Sequence, residues 1–321
     1  MALLTELGLD AAAALAAKFG LDLRAIEPLS VGSVNSNFRL TDRSGKSYFA
    51  RLYEEQDHAG AAREHALVAA LDDANVPVVR ALCGTGGASL ADFSGKAFAI
   101  FPWLDGEILC QGKVTVDACH RLGAALARIH LCSPRAPELP EGRFRVPDLR
   151  LRLARVKSSG RSALLPAVCE IEERLDHYEA RRARTLELGI CHGDLFRDNV
   201  LWQNGEILAL LDFESASRGN FAYDLMVTAL AWCYGSVFEP SLVEALFAGY
   251  HAVRPVPALE VAELKTEGAI GCLRFATTRL TDFSLRAADG EKPARDYRRF
   301  LERLRAIEAG ALDSCIASLR A

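Results

Sequence analysis

The sequence predicts an α+β protein in which a small, strand-rich lobe is followed by a larger, mostly helical lobe. Short runs of strand-forming residues separated by turn residues fill most of the first hundred positions, around one helical segment. Apolar residues recur at helical spacing through most of the remaining chain. A length of 321 residues allows one large or two ordinary domains with ample core.

The small lobe is predicted to contain a first helix over 11–19. A further helix is expected over 59–71, with an apolar face made of Ala62, Ala66, Leu67 and Ala70. Strands bounded by turn residues are expected over 25–31, 37–40, 47–53, 77–82 and 96–103. The segment 103–106 is the expected connection, which gives domains over 1–103 and 104–321.

Helices dominate the predicted large lobe. Thr115 is expected to cap a helix whose apolar face carries Cys119, Leu122, Leu126 and Ile129. The segment 133–147 is rich in Pro and Arg and is predicted to be a surface loop. The other predicted helices cover 222–232, 240–250, 260–285 and 296–309.

Composition limits the possible partners and the compartment. Half of the residues are hydrophobic and a quarter are charged, as in a soluble globular protein. A net charge of −4 gives no electrostatic basis for nucleic-acid binding, and no apolar run is long enough for a membrane span. The nine cysteines are scattered without a C-x-x-C pair, which favours reduced thiols in a cytoplasm. With Glu6 and Asp10 and no basic leader, we expect no secretory signal.

Two motifs carry the predicted chemistry. The run from 192 to 199 reads HGDLFRDN and fits H-x-D-L-x-x-x-N, while the run from 211 to 214 reads LDFE and fits D-F-x. These are the catalytic loop and the metal-binding element of the kinase signature set. In that chemistry Asp194 accepts the proton of an attacking hydroxyl group, and Asn199 and Asp212 hold Mg²⁺ on the phosphates of ATP. The alternative is a polar loop beside an ordinary hairpin.

The residues between the motifs predict how the two metal ligands meet. A strand-like run over 186–191 leads into the loop, and two apolar runs over 200–202 and 207–211 flank an Asn-Gly turn. This pattern is typical of a β-hairpin. Because a hairpin folds its ends back on each other, Asn199 and Asp212 are expected side by side, as two oxygen ligands of a small hard cation.

The small lobe offers a candidate nucleotide site. Small residues at 32–35, between two strands, let backbone N–H groups approach phosphates, although the run lacks the three glycines of G-x-G-x-x-G and an ordinary turn is the alternative. A basic residue on the next strand, an acidic partner on the following helix and aromatic residues at the connection complete the set. The predicted nucleotide-binding residues are Gly32, Ser33, Asn35, Arg51, Glu64, Phe101 and Trp103.

The acceptor is predicted to be a small molecule that carries a hydroxyl group. The short segment between Asp212 and the run at 221–225 leaves no room for the activation loop of protein kinases. Asp224 is expected to hydrogen-bond to the catalytic-loop backbone. His192 is expected to orient the loop, His130 to be a packed helix residue and Cys191 to be a small buried residue.

On these residues the chain resembles the aminoglycoside phosphotransferase and choline kinase superfamily, and within it the bacterial homoserine kinases of that fold. The resemblance implies a two-lobed, protein-kinase-like fold, the use of ATP and Mg²⁺, and a monomer or homodimer in the cytoplasm. It covers nearly the whole chain and is carried by the runs GSVNSNF at 32–38, LARIH at 126–130, HGDLFRDNVL at 192–201, AYDL at 222–225, AWC at 231–233, LRF at 273–275 and RLTDF at 279–283.

Departures from that group concern the acceptor. Homoserine kinases usually have Ala where this chain has Gly193, Tyr where it has Glu214, and often Thr where it has Arg51. An acceptor with a carboxylate, such as homoserine, favours binding by the forked guanidinium group of Arg. The predicted acceptor-site residues, for which surface or structural salt bridges are the alternative, are Arg197, Glu214, Arg274 and Arg279.

Other functions remain open at this point. An acidic wall would suit a polycationic aminoglycoside, but the chain from Val253 onward carries 12 Lys and Arg against 10 Asp and Glu. Choline or ethanolamine would require an aromatic cage, and three Trp and seven Tyr leave that possible. The alternative from another class is a catalytically silent nucleotide-binding module, against which the intact Asp194, Asn199 and Asp212 argue.

Overall fold

The computed structural model describes residues 5–30, 34–133, 138–142, 144–287 and 293–319. The chain divides into two compact units. The first comprises 1–107, 135–138 and 208–214, and the second comprises 108–134, 139–207 and 215–321. The first unit thus takes in the segment that carries Asp212. The single domain boundary after residue 103 stays a prediction.

An antiparallel sheet forms the first unit, with strands in the order β1-β2-β3-β5-β4. Alternate residues of the strands point into one core, for example Phe38 and Leu40 of β2 and Phe98 and Ile100 of β5. The elements are α1 (Leu9–Ala17), β1 (Leu23–Leu29), β2 (Ser36–Asp42), β3 (Ser47–Leu52), α2 (His58–Asp73), β4 (Ala91–Phe93) and β5 (Lys96–Pro102). The predicted α+β class is confirmed.

Two details of the first unit differ from the prediction. The segment 77–82 is not a strand: Val78 makes a single bridge with Leu210, and the Leu82 amide donates to the Ile100 carbonyl at 2.7 Å. On α2, Ala62 and Ala66 are exposed. Leu67 is buried as predicted, but the rest of the buried face is made by Ala61, Val68 and Leu71, which include two larger aliphatic side chains that gain more by burial than alanine does.

The second unit is mostly helical. Its elements are α3 (Val116–Leu131), α4 (Val146–Lys157), α5 (Leu165–Glu179), β6 (Leu188–Cys191), β7 (Val200–Gln203), β8 (Glu206–Leu210, which ends in the first unit), β9 (Ser217–Asn220), α6 (Phe221–Trp232), α7 (Pro240–Val253), α8 (Ala258–Arg279), α9 (Arg298–Glu308) and α10 (Asp313–Ser318). A π-helical turn, Leu280–Ser284, continues α8. Strand β6 pairs with β9, and the predicted hairpin is formed by β7 and β8.

Helix α3 is built as predicted and packs tightly on α7. The Thr115 hydroxyl accepts a hydrogen bond from the Ala118 amide at 3.1 Å, and the predicted apolar face is buried. A Cβ atom at Gly123 would lie 2.0 Å from the Leu246 carbonyl oxygen, so only glycine allows this approach of the two backbones. Within the described residues, no helix is long and apolar enough to span a membrane.

Candidate active site

The catalytic loop is anchored by Asp224, which lies in the first turn of α6. Its carboxylate oxygens accept hydrogen bonds from the backbone amides of His192 and Gly193, each at 2.7 Å. Asp224 is fully buried; burial opposes its ionisation, but the hydrogen bond with His130 and the loop amides lower its pKa below the usual range. The predicted role of Asp224 is confirmed. The His192 ring, whose Nδ1 accepts from the Asp194 amide at 3.4 Å, also holds the loop.

A buried network of hydrogen-bonded side chains supports Asp224 from the core. His130 contacts Asp224 through Nε2 at 3.1 Å and the Tyr250 hydroxyl through Nδ1 at 2.6 Å. The Tyr250 oxygen accepts from Arg254 at 3.2 Å, and Arg254 is paired with Glu260 at 2.7 and 2.8 Å. Every charge in this network therefore has a partner, which burial requires. Burial lowers the pKa of His130, so the ring is neutral, and the prediction of a packed helix histidine is confirmed.

These residues do not form a metal site. The ligand atoms of His130, Cys191 and Asp224 lie within 4.8 Å of one another, and all three residues are buried. However, His130 and Asp224 are bonded to each other, and burial raises the pKa of the Cys191 thiol well above its usual value. A protonated thiol is a poor metal ligand. Cys191 is a small buried residue, as predicted.

Gly193 occupies a backbone conformation that suits glycine. Its φ is +74°, and a Cβ atom there would lie 3.2 Å from the Ser215 carbonyl oxygen. Alanine at this position would therefore meet both backbone strain and a close contact.

We expect Gly193→Ala to lower the free energy of unfolding by about 1–2 kcal/mol and to lower kcat, because the loop must shift away from Ser215. The matched control is Gly205→Ala in the β7–β8 turn, where φ is +80° but a Cβ would meet nothing within 4 Å. Urea unfolding and steady-state kinetics of both variants measure the effects. Equal losses in the two variants would show that the contact with Ser215 is unimportant.

Asp194 is held by two neighbours in the second unit. Its carboxylate Oδ1 accepts from Arg274 Nη1 at 3.2 Å, and its carbonyl oxygen accepts from the Asn199 side-chain amide at 2.8 Å. Arg274 is 4% exposed, and its guanidinium carbon lies 4.3 Å from the ring centre of Phe144 and 3.7 Å from that of Phe275. The base candidate thus has a fixed orientation and a buried cationic partner.

A cavity of about 430 Å³ in the second unit is lined by both Gly193 and Arg274. Its wall contains more guanidinium groups than carboxylates. The arginines are Arg145, Arg182, Arg184, Arg218 and Arg274, and the acidic residues are Glu141 and Glu179. Arg182 is bound to the buried Glu267, with both distances 2.6 Å, and Arg145 is bound to Glu141. Arg184 and Arg218 form no ion pair with any residue that the structure describes, so the cavity favours an anionic group.

Two of the arginines predicted for the acceptor site, Arg197 and Arg279, lie outside this cavity. Arg197 donates to the side chain of Gln111 and to the Ala231 carbonyl oxygen at 2.6 Å. Arg279 donates to the Asp296 carbonyl oxygen at 3.1 Å, and its guanidinium carbon lies 4.5 Å from the ring centre of Phe300. Both guanidinium groups therefore serve protein packing, and among the predicted arginines only Arg274 lines the cavity.

Glu214, another predicted acceptor-site residue, does not line this cavity. It lies in the first unit, where its Oε2 accepts from the side-chain amide of Asn35 at 3.0 Å. The Asn35 side-chain oxygen in turn accepts a hydrogen bond from the Glu54 backbone amide at 3.1 Å. Asn35 directly precedes β2, so these contacts connect Glu214 to the start of that strand. Glu214 therefore belongs with the candidate nucleotide-binding residues.

Arg51, Glu64 and Asp212 meet in the first unit as a polar cluster. Arg51 Nη1 lies 4.0 Å from Glu64 Oε1 and 3.8 Å from Asp212 Oδ1. Three buried atoms of the cluster, namely Arg51 Nε, Glu64 Oε2 and Asp212 Oδ1, have no hydrogen-bond partner among the described residues. Buried polar atoms without partners are rare in folded proteins. Asp212 also has a φ of +63°, which is unusual for a residue other than glycine and is common at functional sites. The cluster fits a ligand that brings an anionic phosphate and a cation.

The other predicted nucleotide-binding residues are placed as follows. Gly32 and Ser33 lie outside the described residues. Phe101 is on β5 with its ring centre 6.1 Å from that of Phe49, and the Trp103 indole donates to Asp105 at 3.0 Å. Binding of the nucleotide by these two aromatic residues stays a prediction, as does the role of Asn199 as a metal ligand.

We expect the protonation of Glu64 to make the stability of the protein depend on pH. Burial raises the pKa of Glu64 from 4.5 to about 8. The folded state therefore binds this proton more tightly than the unfolded state. The resulting stabilisation is complete below pH 4.5 and is lost as the pH rises to 8. Relative to Glu64→Gln, the wild-type free energy of unfolding should fall by roughly 2–4 kcal/mol over this range, as measured by urea unfolding. Parallel pH profiles for the two proteins would contradict the assignment.

The chain is similar to known proteins over most of its length. The model of the phosphotransferase enzyme family matches residues 25–261. A homoserine kinase of Methylocella silvestris is 31% identical over 272 residues, which cover 81% of each chain. A homoserine kinase of Methylobacterium radiotolerans is 32% identical over 293 residues, which cover 88% of each chain. The resemblance seen in the sequence is confirmed.

The fold is shared with solved kinase structures. Amicoumacin kinase hAmiN, solved in complex with AMP-PNP, Ca²⁺ and Ami, has a TM-score of 0.71 with this chain, at 15% identity and with 95% of this chain and 94% of that chain covered. The predicted kinase-like fold is confirmed. The homoserine kinases among its relatives imply the use of ATP and of a small-molecule acceptor with a hydroxyl group. The chain therefore belongs to the phosphotransferase enzyme family, as a small-molecule kinase that phosphorylates an acceptor hydroxyl group.

Proposed function

We propose that this kinase transfers the γ-phosphate of ATP to the hydroxyl group of homoserine. The observation that carries the proposal is the cavity beside Asp194, whose wall has an excess of guanidinium groups. Arginine binds carboxylates through paired, charge-assisted hydrogen bonds, so the wall suits an acceptor with a carboxylate. A polycationic acceptor would be repelled by the same wall. The curated relatives named above are homoserine kinases, which agrees with this choice.

In the proposed reaction Asp194 orients the acceptor hydroxyl group and accepts its proton as the oxygen attacks phosphorus. Arg274 and the Asn199 side chain hold Asp194 in place for this step. Arg51 provides a positive charge for the nucleotide phosphates, in the cluster that already contains unpartnered buried atoms.

We also propose Mg²⁺ as the metal, with Asp212 as a ligand. The buried Asp212 Oδ1 lacks a hydrogen-bond partner among the described residues, and a carboxylate oxygen is the donor that Mg²⁺ prefers. When bound, the ion supplies positive charge to the phosphate oxygens. Asn199 is the proposed second ligand. A cytoplasmic location and a monomeric or homodimeric state stay predictions.

Release of ADP from Mg-ATP tests the proposal when it is measured in a coupled assay against a panel of acceptors. The panel contains homoserine, choline, ethanolamine, hydroxylysine, representative sugars and several aminoglycosides. We expect turnover with homoserine and background rates with the cationic acceptors. Turnover only with another compound would reject homoserine. ADP release with none of them would favour a silent nucleotide-binding module.

A further inference from the structure

Arg274 carries a buried N–H donor that lacks a hydrogen-bond partner among the described residues, next to the candidate base Asp194. Its Nη1 is bound to Asp194, but its Nε is buried and has no hydrogen-bond partner within the part of the chain that the structure describes. A guanidinium group carries five N–H donors in a rigid planar fork. The edge that contains Nε can therefore bind a carboxylate while the corner at Nη1 keeps its bond to Asp194.

The position of this edge is fixed by packing. The guanidinium group contacts the rings of Phe144 and Phe275, at 4.3 and 3.7 Å from their centres, and the residue is 4% exposed. Arginine stacks favourably on aromatic rings, and a buried guanidinium group has little freedom to turn. Because Asp194 is bound to Nη1 and Nε belongs to the same rigid guanidinium group, the position of Nε relative to the Asp194 carboxylate is also fixed.

We propose that the Nε edge of Arg274 binds the carboxylate of the acceptor and thereby selects acceptors by the distance between their carboxylate and hydroxyl groups. The inference rests on the proposed function, in which Asp194 binds the acceptor hydroxyl group. One guanidinium group then sets the separation between the hydroxyl oxygen and the carboxylate. The acceptor class is a short hydroxy amino acid in which only a few bonds separate these two groups. Compounds without a carboxylate, or with a longer chain, cannot satisfy both contacts.

Acceptor analogues test this inference on the wild-type protein, without a change in the chain. The compounds are homoserine, 3-amino-1-propanol, which lacks the carboxylate, and 5-hydroxynorvaline, which is longer by one methylene group. We expect kcat/KM to fall by about 10²-fold or more without the carboxylate, because the buried Nε then stays unpartnered, and by about tenfold with the longer chain. A value for 3-amino-1-propanol within threefold of that for homoserine would overturn the inference.

Variants separate the carboxylate site from the support of Asp194. Arg274→Lys keeps the charge but lacks the fork. We expect it to bring the ratio of kcat/KM between homoserine and 3-amino-1-propanol close to one. Arg128→Met is the control, since Arg128 is an exposed arginine of α3 that lies outside the cavity and has no ion pair among the described residues; its ratio should equal that of the wild type. Equal losses for both acceptors in Arg274→Lys would show that Arg274 only positions Asp194, and would reject the inference.

Calorimetric binding of homoserine to Arg274→Lys gives a readout that does not depend on turnover. We expect the affinity to fall by at least tenfold, while the affinity for ATP stays unchanged. Wild-type homoserine affinity in this variant would overturn the inference. The two proposals fail differently: absence of ADP release with homoserine rejects the proposed function, whereas turnover of homoserine with unchanged discrimination rejects only the carboxylate site.

Discussion

Replacement of Asp194 by Asn is expected to lower kcat by about 10²–10⁴-fold while ATP still binds. Asn has the same size, but its amide cannot accept the proton of the acceptor hydroxyl group. Arg51, Glu64 and Asp212, which we propose as the residues that bind the nucleotide and its metal ion, lie in the other compact unit and are unchanged by the substitution. Steady-state kinetics with the acceptor found in the panel measures the first effect, and calorimetry with ATP measures the second.

The Asp194→Asn variant also loses one charge of an ion pair. Arg274 is buried, but the Asp194 side chain is 33% exposed, so we expect the free energy of unfolding to fall by only about 1 kcal/mol. Urea unfolding serves as the control for folding. Activity near that of the wild type would remove Asp194 from its assigned role, whereas a large loss of stability would make the kinetic result uninformative about proton transfer.

Asp212→Ala is expected to abolish the dependence of nucleotide binding on Mg²⁺. The substitution removes the buried Oδ1, which we propose as a metal ligand, and it leaves Arg51 without the carboxylate that lies 3.8 Å from its Nη1. Loss of a metal ligand of this kind should reduce the affinity for Mg-ATP by at least tenfold and kcat by more. Calorimetry with ATP, in the presence and absence of MgCl₂, measures the change directly.

Asp212→Asn is the matched control for the backbone. Asn tolerates a positive φ better than Ala does, so it separates strain at φ +63° from loss of the carboxylate. Both variants should lose the response to Mg²⁺ if the charge matters. A response kept in Asp212→Asn but lost in Asp212→Ala would mean that the side-chain oxygen matters and its charge does not. An unchanged response in both variants would mean that the metal is held by other residues.

The elements and residues that could be predicted are those fixed by short stretches of sequence. The β7–β8 hairpin follows from two apolar runs around Asn204 and Gly205, and Asp224 was assigned to the loop backbone from its place at the start of a helix. These features depend on turn chemistry and on neighbours within one element. The Thr115 cap is another example.

The direction of long side chains could not be predicted, because distant contacts determine it. Arg197 follows Asp194 by three positions yet points to Gln111 and Ala231, while Arg274, eighty positions away, contacts the carboxylate. The wall of the cavity comes from segments near 141–147, 179–193, 215–223 and 270–274. No sequence motif marks Arg184 or Arg218, so their place in the cavity wall could not be predicted. The strand predicted over 77–82 is only a single bridge between Val78 and Leu210. Its partner is distant in the sequence, and a lone pairing leaves no repeating pattern from which it could be predicted.

The anchorage of the catalytic loop has a consequence for how this protein can change. Asp224 and its supporting network of side chains hold the loop from the core side, through residues of α3, α6, α7 and α8. None of the cavity arginines belongs to that network; apart from Arg274 on α8, they lie on β9 and in or beside the segments that flank α4 and α5. Under the proposed function, substitutions in the wall therefore alter which compound is accepted while Asp194 keeps its position. The protein separates a part that is free to diversify from a part that is not, which makes it a suitable starting point for engineering a kinase for a new acceptor.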